Sequence, residues 1–145
     1  MDVSIIIVNY NTLSLLCSAI DSIFRNTESV NYEIIVVDNA SIDNSKNIIA
    51  EKYGDKVLYI SLSENVGFGR ANNEGIKVAK GRNLFFFNPD TVLLNNAIKI
   101  LSGYLDENPD TGIAGGNLFD VNKAPAYSFR CFLPSLFWEI NDMFL

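Results

Sequence analysis

Two aspartates in this sequence follow apolar runs at the points where those runs end. Asp38 comes directly after residues 34–37, and Asp90 follows residues 84–87 by way of Asn88-Pro89. Short apolar runs bounded by polar residues are typical of strands buried on both faces, so both carboxylates should lie at strand ends. A carboxylate there can accept hydrogen bonds from a nucleotide base or ribose, or bind a divalent cation that bridges phosphate oxygens. We predict the first role for Asp38 and the second for Asp90.

Amide side chains follow the first apolar run of the chain in the same way. Residues 3–8 are mostly β-branched and end at Asn9-Tyr10-Asn11-Thr12. The carboxyl ends of parallel strands meet at one edge of an open sheet, and ligands bind at that edge. The loop from Val8 to Asn11 should therefore face the same crevice as Asp38 and Asp90.

A glycine-containing segment offers the positive potential that an anionic ligand requires. Gly67 and Gly69 open a predicted helix whose N-terminus would present free N–H groups, and Arg70 is the only cation in that stretch. A short Gly-x-Gly is a weak signal, because a glycine-rich turn with a solvated arginine explains it equally well. Residues 88–91, taken alone, also fit a β-turn followed by a helix cap.

Strand-like and helix-like patterns alternate along the chain and would position these residues. Further strands are predicted at residues 32–37 and 57–60. Helices are predicted after Thr12, from Ser41 or Asp43 to about Tyr53, from about Asn65 to Lys80, and after Asn95. The first helix carries an apolar stripe of Leu13, Leu16, Ile20, Ile23 and Phe24. This alternation predicts an α/β fold with a mostly parallel sheet flanked by helices.

The pattern weakens towards the end of the chain. Residues 113–116 should form a short strand or bend, and residues 122–125 a loop. Residues 129–145 are aromatic and apolar without a clear period. Such a tail should pack against further chain, a partner or a membrane surface.

Composition excludes several classes of function. With 145 residues, 48% of them hydrophobic, the chain can bury one substantial core. A net charge of -6 argues against nucleic acid as a partner, and the absence of histidine excludes a histidine base or histidine metal ligands. Cys17 and Cys131 lack metal-site or redox spacing, so both should be reduced. The first residues lack a signal peptide or membrane span, which predicts a cytoplasmic protein.

Two familiar α/β classes fit the strand ends poorly. A dinucleotide-binding Rossmann domain would carry Gly-x-Gly-x-x-Gly after its first strand, where this chain has Asn9-Tyr10-Asn11-Thr12. A phosphoacceptor receiver domain would gather an acidic pair at the same place, where this chain offers asparagines.

Four blocks in order carry a closer resemblance, namely residues 4–11, 35–41, 65–73 and 87–91. Together they resemble family-two inverting glycosyltransferases of the GT-A fold, and within them the rhamnosyltransferase-like branch. The resemblance covers roughly residues 1–120, the N-terminal donor-binding part. It implies a GT-A, Rossmann-like mostly parallel sheet, truncated at the C-terminus, with residues 1–120 as nucleotide-sugar-binding core and 121–145 as the start of an incomplete acceptor-side region.

The resemblance also implies roles for individual residues. The nucleotide sugar would be bound by Val8, Asn9, Tyr10, Asn11, Asp38, Gly67, Arg70, Asn88 and Asp90. Asn88-Pro89-Asp90 would occupy the place of the family's metal-binding Asp-x-Asp motif, with Asp90 binding Mg or Mn. The departure is Asn88, whose amide contributes no negative charge and should weaken metal affinity.

The implied reaction is transfer of a sugar from a UDP- or dTDP-linked donor to a hydroxyl of a glycan or lipid-linked acceptor, with inversion. The family's catalytic base lies in an acidic motif downstream, and none of the carboxylates beyond the Asp90 loop matches it: Asp106, Glu107, Asp110, Asp120, Glu139 and Asp142. The base is therefore expected outside this chain. Such an enzyme of polysaccharide biosynthesis would be cytoplasmic, working at the inner face of the membrane. A noncatalytic nucleotide-binding or assembly module remains the alternative.

Overall fold

The computed structural model describes residues 1–126, and residues 1–114 form one compact unit while the residues from 115 belong to a second. The first unit contains strands β1 (Val3–Asn9), β2 (Tyr32–Asp38), β3 (Val57–Ser61) and β4 (Asn83–Phe86), and helices α1 (Leu13–Asn26), α2 (Ser45–Tyr53), α3 (Phe68–Val78) and α4 (Ala97–Glu107). A short 3-10 helix, Gly54–Lys56, joins α2 to β3. The described part of the second unit is a hairpin of β5 (Leu118–Phe119) and β6 (Pro125–Ala126). The predicted alternation of strands and helices is confirmed.

The four long strands form one parallel sheet in the order β3-β2-β1-β4. Each crossover between neighbours runs through a helix, as parallel pairing requires. The first strand of the chain is thus central, and its pairing with β2 places Asn9 directly opposite Asp38. The register therefore brings two of the predicted site residues together at the carboxyl end of the sheet.

Two apolar clusters cover the two faces of the sheet. The larger one joins Ile5, Ile7, Ile34 and Val36 to α1, α2 and α4, and the smaller one joins Ile6, Val8, Ile35 and Val37 to α3. Because successive side chains of a strand point to opposite faces, burial on both faces requires the continuous apolar runs of residues 5–8 in β1 and 34–37 in β2. All seven residues of β1 are buried.

The prediction that residues 84–87 are buried on both faces is wrong. Phe85 packs against the larger cluster and Phe87 is 6% exposed, whereas Leu84 and Phe86 are 39% and 51% exposed. β4 lies at an edge of the sheet, and α3 packs over β1 and β2 on that face. A run of apolar letters therefore could not distinguish an edge strand with one covered face from a central one.

Smaller differences concern the ends of elements. Thr12 precedes α1 as predicted, but its side chain forms no cap and its hydroxyl bonds Asn9 instead. Residues 113–116 have no regular structure. Residues 122–124 belong to the β5–β6 turn, where the Asp120 carboxylate accepts two backbone N–H groups, and Pro125 already begins β6. Within residues 1–126, every helix is too short or too polar to cross a lipid bilayer. The predictions for Cys131, Glu139, Asp142 and the tail lie outside the described residues.

Candidate functional site

A buried amide–carboxylate pair lies at the carboxyl ends of the two central strands. Asn9 is 0% and Asp38 6% exposed, and the Asn9 Nδ2 group donates to Asp38 Oδ1 over 2.8 Å. Asn9 Oδ1 accepts the Thr12 hydroxyl at 2.8 Å, which fixes the amide orientation. Asp38 Oδ2 accepts the backbone N–H of Ser41 at 3.1 Å. Each carboxylate oxygen of Asp38 keeps a further lone pair, so the group can still accept hydrogen bonds from a ligand.

Two serines and an aspartate support this pair from the start of α2. The Asn9 amide also lies within hydrogen-bond distance of Ser41 Oγ (3.0 Å) and Ser45 Oγ (3.1 Å). The Ser45 hydroxyl donates to the Asp43 carboxylate, which also accepts the backbone N–H of Leu13 at 3.2 Å. The sequence suggested Ser41 and Asp43 only as helix caps and gave Ser45 no role. The sequence feature that could have indicated their role is the alternation of small polar residues after a strand-end aspartate.

Ser41 also fixes the loop after β1. The Asn11 N–H donates to Ser41 Oγ over 2.9 Å, and Asn11 Oδ1 accepts the N–H of Ile42 at 2.8 Å. Asn11 has a φ of 57°, a left-handed conformation that asparagine tolerates better than most residues. Tyr10 beside it is 49% exposed, so its ring can contact a ligand. Val8 is 7% exposed and packs in the smaller core, which leaves only its backbone for binding.

Asn39 connects the loop after β2 to the loop before α3. This amide is 3% exposed, donates to Asn65 Oδ1 over 2.8 Å and accepts the N–H of Val66 at 2.9 Å. Gly67, with a φ of 85° that favours glycine, donates its N–H to the same Asn65 oxygen at 3.0 Å. α3 begins at the next residue, and Arg70 is exposed in its first turn. Sequence reasoning gave Asn39 no role, although a second amide after a strand-end aspartate was visible.

Asn88 and Asp90 lie in a separate turn after β4, at the same edge of the sheet. The Thr91 N–H donates to Asn88 O over 3.1 Å, which closes the turn. Both side chains are exposed, and within residues 1–126 the Asp90 carboxylate has one long side-chain hydrogen bond, 3.5 Å from the Thr91 hydroxyl. The turn is thus at the predicted edge, but no hydrogen bond joins it to the Asn9–Asp38 network in that range.

The donor set at Asp90 suits a cation that takes most of its ligands from elsewhere. No group of three or more histidine, cysteine or carboxylate side chains gathers around one point in residues 1–126. A fully protein-bound metal is therefore not supported there. Mg²⁺ commonly binds through one or two carboxylates while phosphate oxygens and water complete its shell, and the exposed Asp90 fits that arrangement.

The side chain of Tyr59 lies on the same face of the sheet as that of Asp38. Tyr59 in β3 pairs with Val36 in β2, and Asp38 follows Val36 by two residues. Burial raises the pKa of Tyr59, and the negative charge of Asp38 adds to this shift, so the phenol is neutral. Its hydroxyl is buried close to the Asp38 carboxylate, but makes no hydrogen bond of good geometry in the described part of the chain.

A family model described as Glycosyl transferase family 2 matches residues 4–132 of this chain. An uncharacterized glycosyltransferase of Rickettsia felis is 36% identical over 144 residues, which are 97% of this chain and 23% of that protein. A poly(ribitol-phosphate) beta-glucosyltransferase of Bacillus spizizenii is 32% identical, with 84% of this chain and 20% of that protein covered. The chain thus spans about a quarter or less of the length of these relatives.

Solved structures extend the similarity to the fold. The crystal structure of S. aureus TarS residues 1–349 in complex with UDP-GlcNAc superposes with a TM-score of 0.66 and 27% sequence identity. The superposition covers 75% of this chain and 32% of the TarS chain.

Proposed function

Because the chain belongs to glycosyl transferase family 2, we propose that it is the donor-binding part of an enzyme that transfers a sugar from a UDP- or dTDP-linked donor to an acceptor hydroxyl, with inversion. The observation that carries this proposal is the Asp38 carboxylate, 6% exposed and held by the Asn9 amide at the carboxyl edge of the sheet. A buried carboxylate without an ion-pair partner in residues 1–126 suits a neutral, hydrogen-bonding ligand group better than a structural role.

Asp38 and the loop after β1 would hold the base and the ribose. Pyrimidine N–H and ribose O–H groups are donors, and a carboxylate with fixed orientation accepts such bonds strongly. Tyr10 lies next to this position with an exposed ring that can contact the base. The UDP-GlcNAc bound in the TarS structure supports a uridine nucleotide as the donor of this chain as well.

Arg70 and the start of α3 would meet the diphosphate. The helix N-terminus offers unpaired N–H groups, and Gly67 allows a phosphate to approach the backbone closely. Asp90, with a lesser contribution from Asn88, would hold a Mg or Mn ion on the other side of the phosphates. When bound, such an ion stabilises the negative charge of the departing diphosphate.

The acceptor hydroxyl needs a base, and two of the described carboxylates beyond Asp90 have other partners. Asp106 forms an ion pair with Arg82 over 2.6 Å, and Asp120 accepts the N–H groups of its own turn. We place the base outside residues 1–126. The name of the Bacillus spizizenii relative supports a polymer as acceptor, and a lipid-linked polymer would place the enzyme at the cytoplasmic face of a membrane.

Calorimetric titration with UDP and dTDP in the presence of Mn tests the donor site. Asp38→Ala should weaken UDP binding by about 1–3 kcal/mol, the scale of a hydrogen bond to a charged group, and Asp38→Asn by less. Asp106→Ala serves as the control, because Asp106 pairs with Arg82, which directly precedes β4 at the amino ends of the strands. Unchanged affinity in both Asp38 variants would contradict the proposed site. Failure of the wild type to bind either nucleotide would contradict the function itself.

A further inference from the structure

Within residues 1–126, the loop that precedes α3 is tied to the end of β2 at two places. The Leu62 N–H donates to Asp38 O over 2.9 Å at the start of that loop, and the side chain of Asn39 reaches its later part, next to α3. The backbone of Asn39 is already used, because its N–H donates to Asn9 O over 2.8 Å. Its side chain bonds the loop before α3, where it donates to Asn65 Oδ1 over 2.8 Å and accepts the Val66 N–H at 2.9 Å. Both ends of the buried amide are satisfied by the same loop.

These bonds define where α3 begins. Asn65 passes the restraint on, since its Oδ1 atom accepts the Gly67 N–H at 3.0 Å as well as the Asn39 amide. Gly67 O in turn accepts the N–H of Ala71, the first hydrogen bond of the helix, at 3.0 Å. Arg70 lies between these two residues, so the position of its Cα atom depends on the chain of bonds that starts at Asn39.

Packing does not replace this restraint. Val66 and Ala71 anchor the loop and the helix against the smaller core, which fixes their distance from the sheet. Apolar contacts are non-directional, however, and permit sliding along the strand axis. The hydrogen bonds of Asn39 are directional, so they fix Asn65 and Val66 relative to the residue that follows Asp38.

We propose that Asn39 is a positioning residue that holds Arg70 at a fixed place relative to Asp38, so that one nucleotide can be gripped at its base and at its diphosphate together. This inference rests on the proposed function, because it presumes that Asp38 and Arg70 contact the same ligand. It assigns Asn39 no contact with the ligand. The effect of Asn39 should therefore pass through Arg70 and the start of α3, and concern only ligands that carry phosphate.

A double-mutant cycle with UDP and uridine as probes tests the inference. Asn39→Ala should weaken UDP binding about 3- to 30-fold, within the usual range for coupled neighbours, and the same change should have a clearly smaller effect in an Arg70→Ala background. Uridine, which lacks the diphosphate, should bind wild type and Asn39→Ala equally. Asn83→Ala is the matched control, since the Asn83 amide bonds Ser102 Oγ over 3.0 Å at the opposite end of the sheet and should leave UDP affinity unchanged.

Additive effects of Asn39→Ala and Arg70→Ala, or an equal loss of uridine affinity, would overturn the positioning role. Amide hydrogen exchange decides the same question without ligand. The Val66 and Gly67 amides should lose protection in Asn39→Ala while β1 amides keep theirs, and protection that survives the change would also overturn the inference. A wild type that binds no UDP would instead contradict the proposed function, and the exchange result would then stand alone.

Discussion

The two aspartates that end apolar runs differ in burial, and this difference separates their roles. Asp38 is 6% exposed and held by an amide and a backbone N–H, so its orientation is fixed before any ligand arrives. Asp90 is exposed and has a single long bond within the described residues. Fixed geometry favours recognition of base or ribose donors, whereas an exposed carboxylate can adjust to the shell of a metal ion.

We expect the negative charge of Asp90 to contribute to metal-dependent nucleotide binding and not to the stability of the fold. Asp90→Ala should remove most of the increase in UDP affinity that Mn produces, because the only carboxylate of the turn is lost. Asn88→Asp should enlarge that increase, because it adds a second carboxylate to the same turn. Both are read by calorimetry with and without chelator, and melting temperatures close to wild type confirm that the exposed turn tolerates the changes. Equal affinities with and without chelator in all three proteins would contradict a metal role.

Tyr53 at the end of α2 and Tyr59 in β3 differ in the hydrogen bonding of their hydroxyls, and this difference predicts different effects on stability. The Tyr53 hydroxyl shares its proton between Cys17 O at 3.0 Å and Asp21 Oδ1 at 2.9 Å, whereas the Tyr59 hydroxyl is buried without a partner among residues 1–126. Tyr53→Phe should therefore lower the free energy of unfolding by about 1–2 kcal/mol, and Tyr59→Phe should leave it unchanged or raise it slightly. Urea unfolding of the two variants measures this. A loss at Tyr59 equal to that at Tyr53 would show that the Tyr59 hydroxyl is bonded after all.

At the level of elements, the alternation of patterns was sufficient to predict the sheet and its helices. The β-branched runs and the α1 stripe specify buried faces directly, because burial sets the period of apolar residues. Exposure of Phe86 was not predictable in that way, since it depends on where α3 lies and on the edge position of β4. The partners of Asn9 and Asn39 were equally inaccessible, because they are set by register and loop geometry between residues about thirty apart.

Two helical glycines give a prediction for the packing of α3 on the sheet. A Cβ atom at Gly75 would lie 2.7 Å from Ile6 Cγ2 and 3.2 Å from Val37 Cγ2, whereas one at Gly103 in α4 would meet nothing within 4 Å. Gly75→Ala should destabilise the fold by about 1–3 kcal/mol through overpacking. Gly103→Ala should stabilise it by about 0.5–1 kcal/mol through helix propensity. Thermal and urea unfolding report both signs, and stabilisation by Gly75→Ala would mean that α3 lies farther from β1.

For the molecule as a whole, the proposed donor site would have to bind an anion although the net charge is -6. Arg70 and a metal ion would have to supply the local positive potential, because the overall field repels a diphosphate. Of the described carboxylates beyond Asp90, Asp106 is paired with Arg82 and Asp120 accepts turn N–H groups, and none matches the acidic motif that would supply the base. Donor binding and sugar transfer should therefore separate in this chain.

We expect the 145-residue chain to bind UDP without transferring sugar at an enzymatic rate. Loss of a general base alone typically costs about 10²- to 10⁴-fold, and loss of acceptor positioning adds to this. Release of UDP from UDP-GlcNAc should be followed for this chain and for a longer protein that contains it, each with candidate glycan acceptors. Comparable rates would place the base within this chain, and Asp120 would be the first carboxylate to mutate.

The central place of β1 in the sheet has a consequence for biosynthesis. β1 leaves the ribosome before the three strands that join it in the sheet, and its second neighbour, β4, pairs with it across the longest sequence interval in that sheet. At about 5–20 residues per second, β4 follows β2 by roughly 2–10 s. During that interval the nascent chain carries a largely apolar strand with one open edge, which is the kind of segment that chaperones bind and that neighbouring nascent chains can pair with. Codon speed between β2 and β4 should thus influence the yield of soluble protein, although it changes no residue.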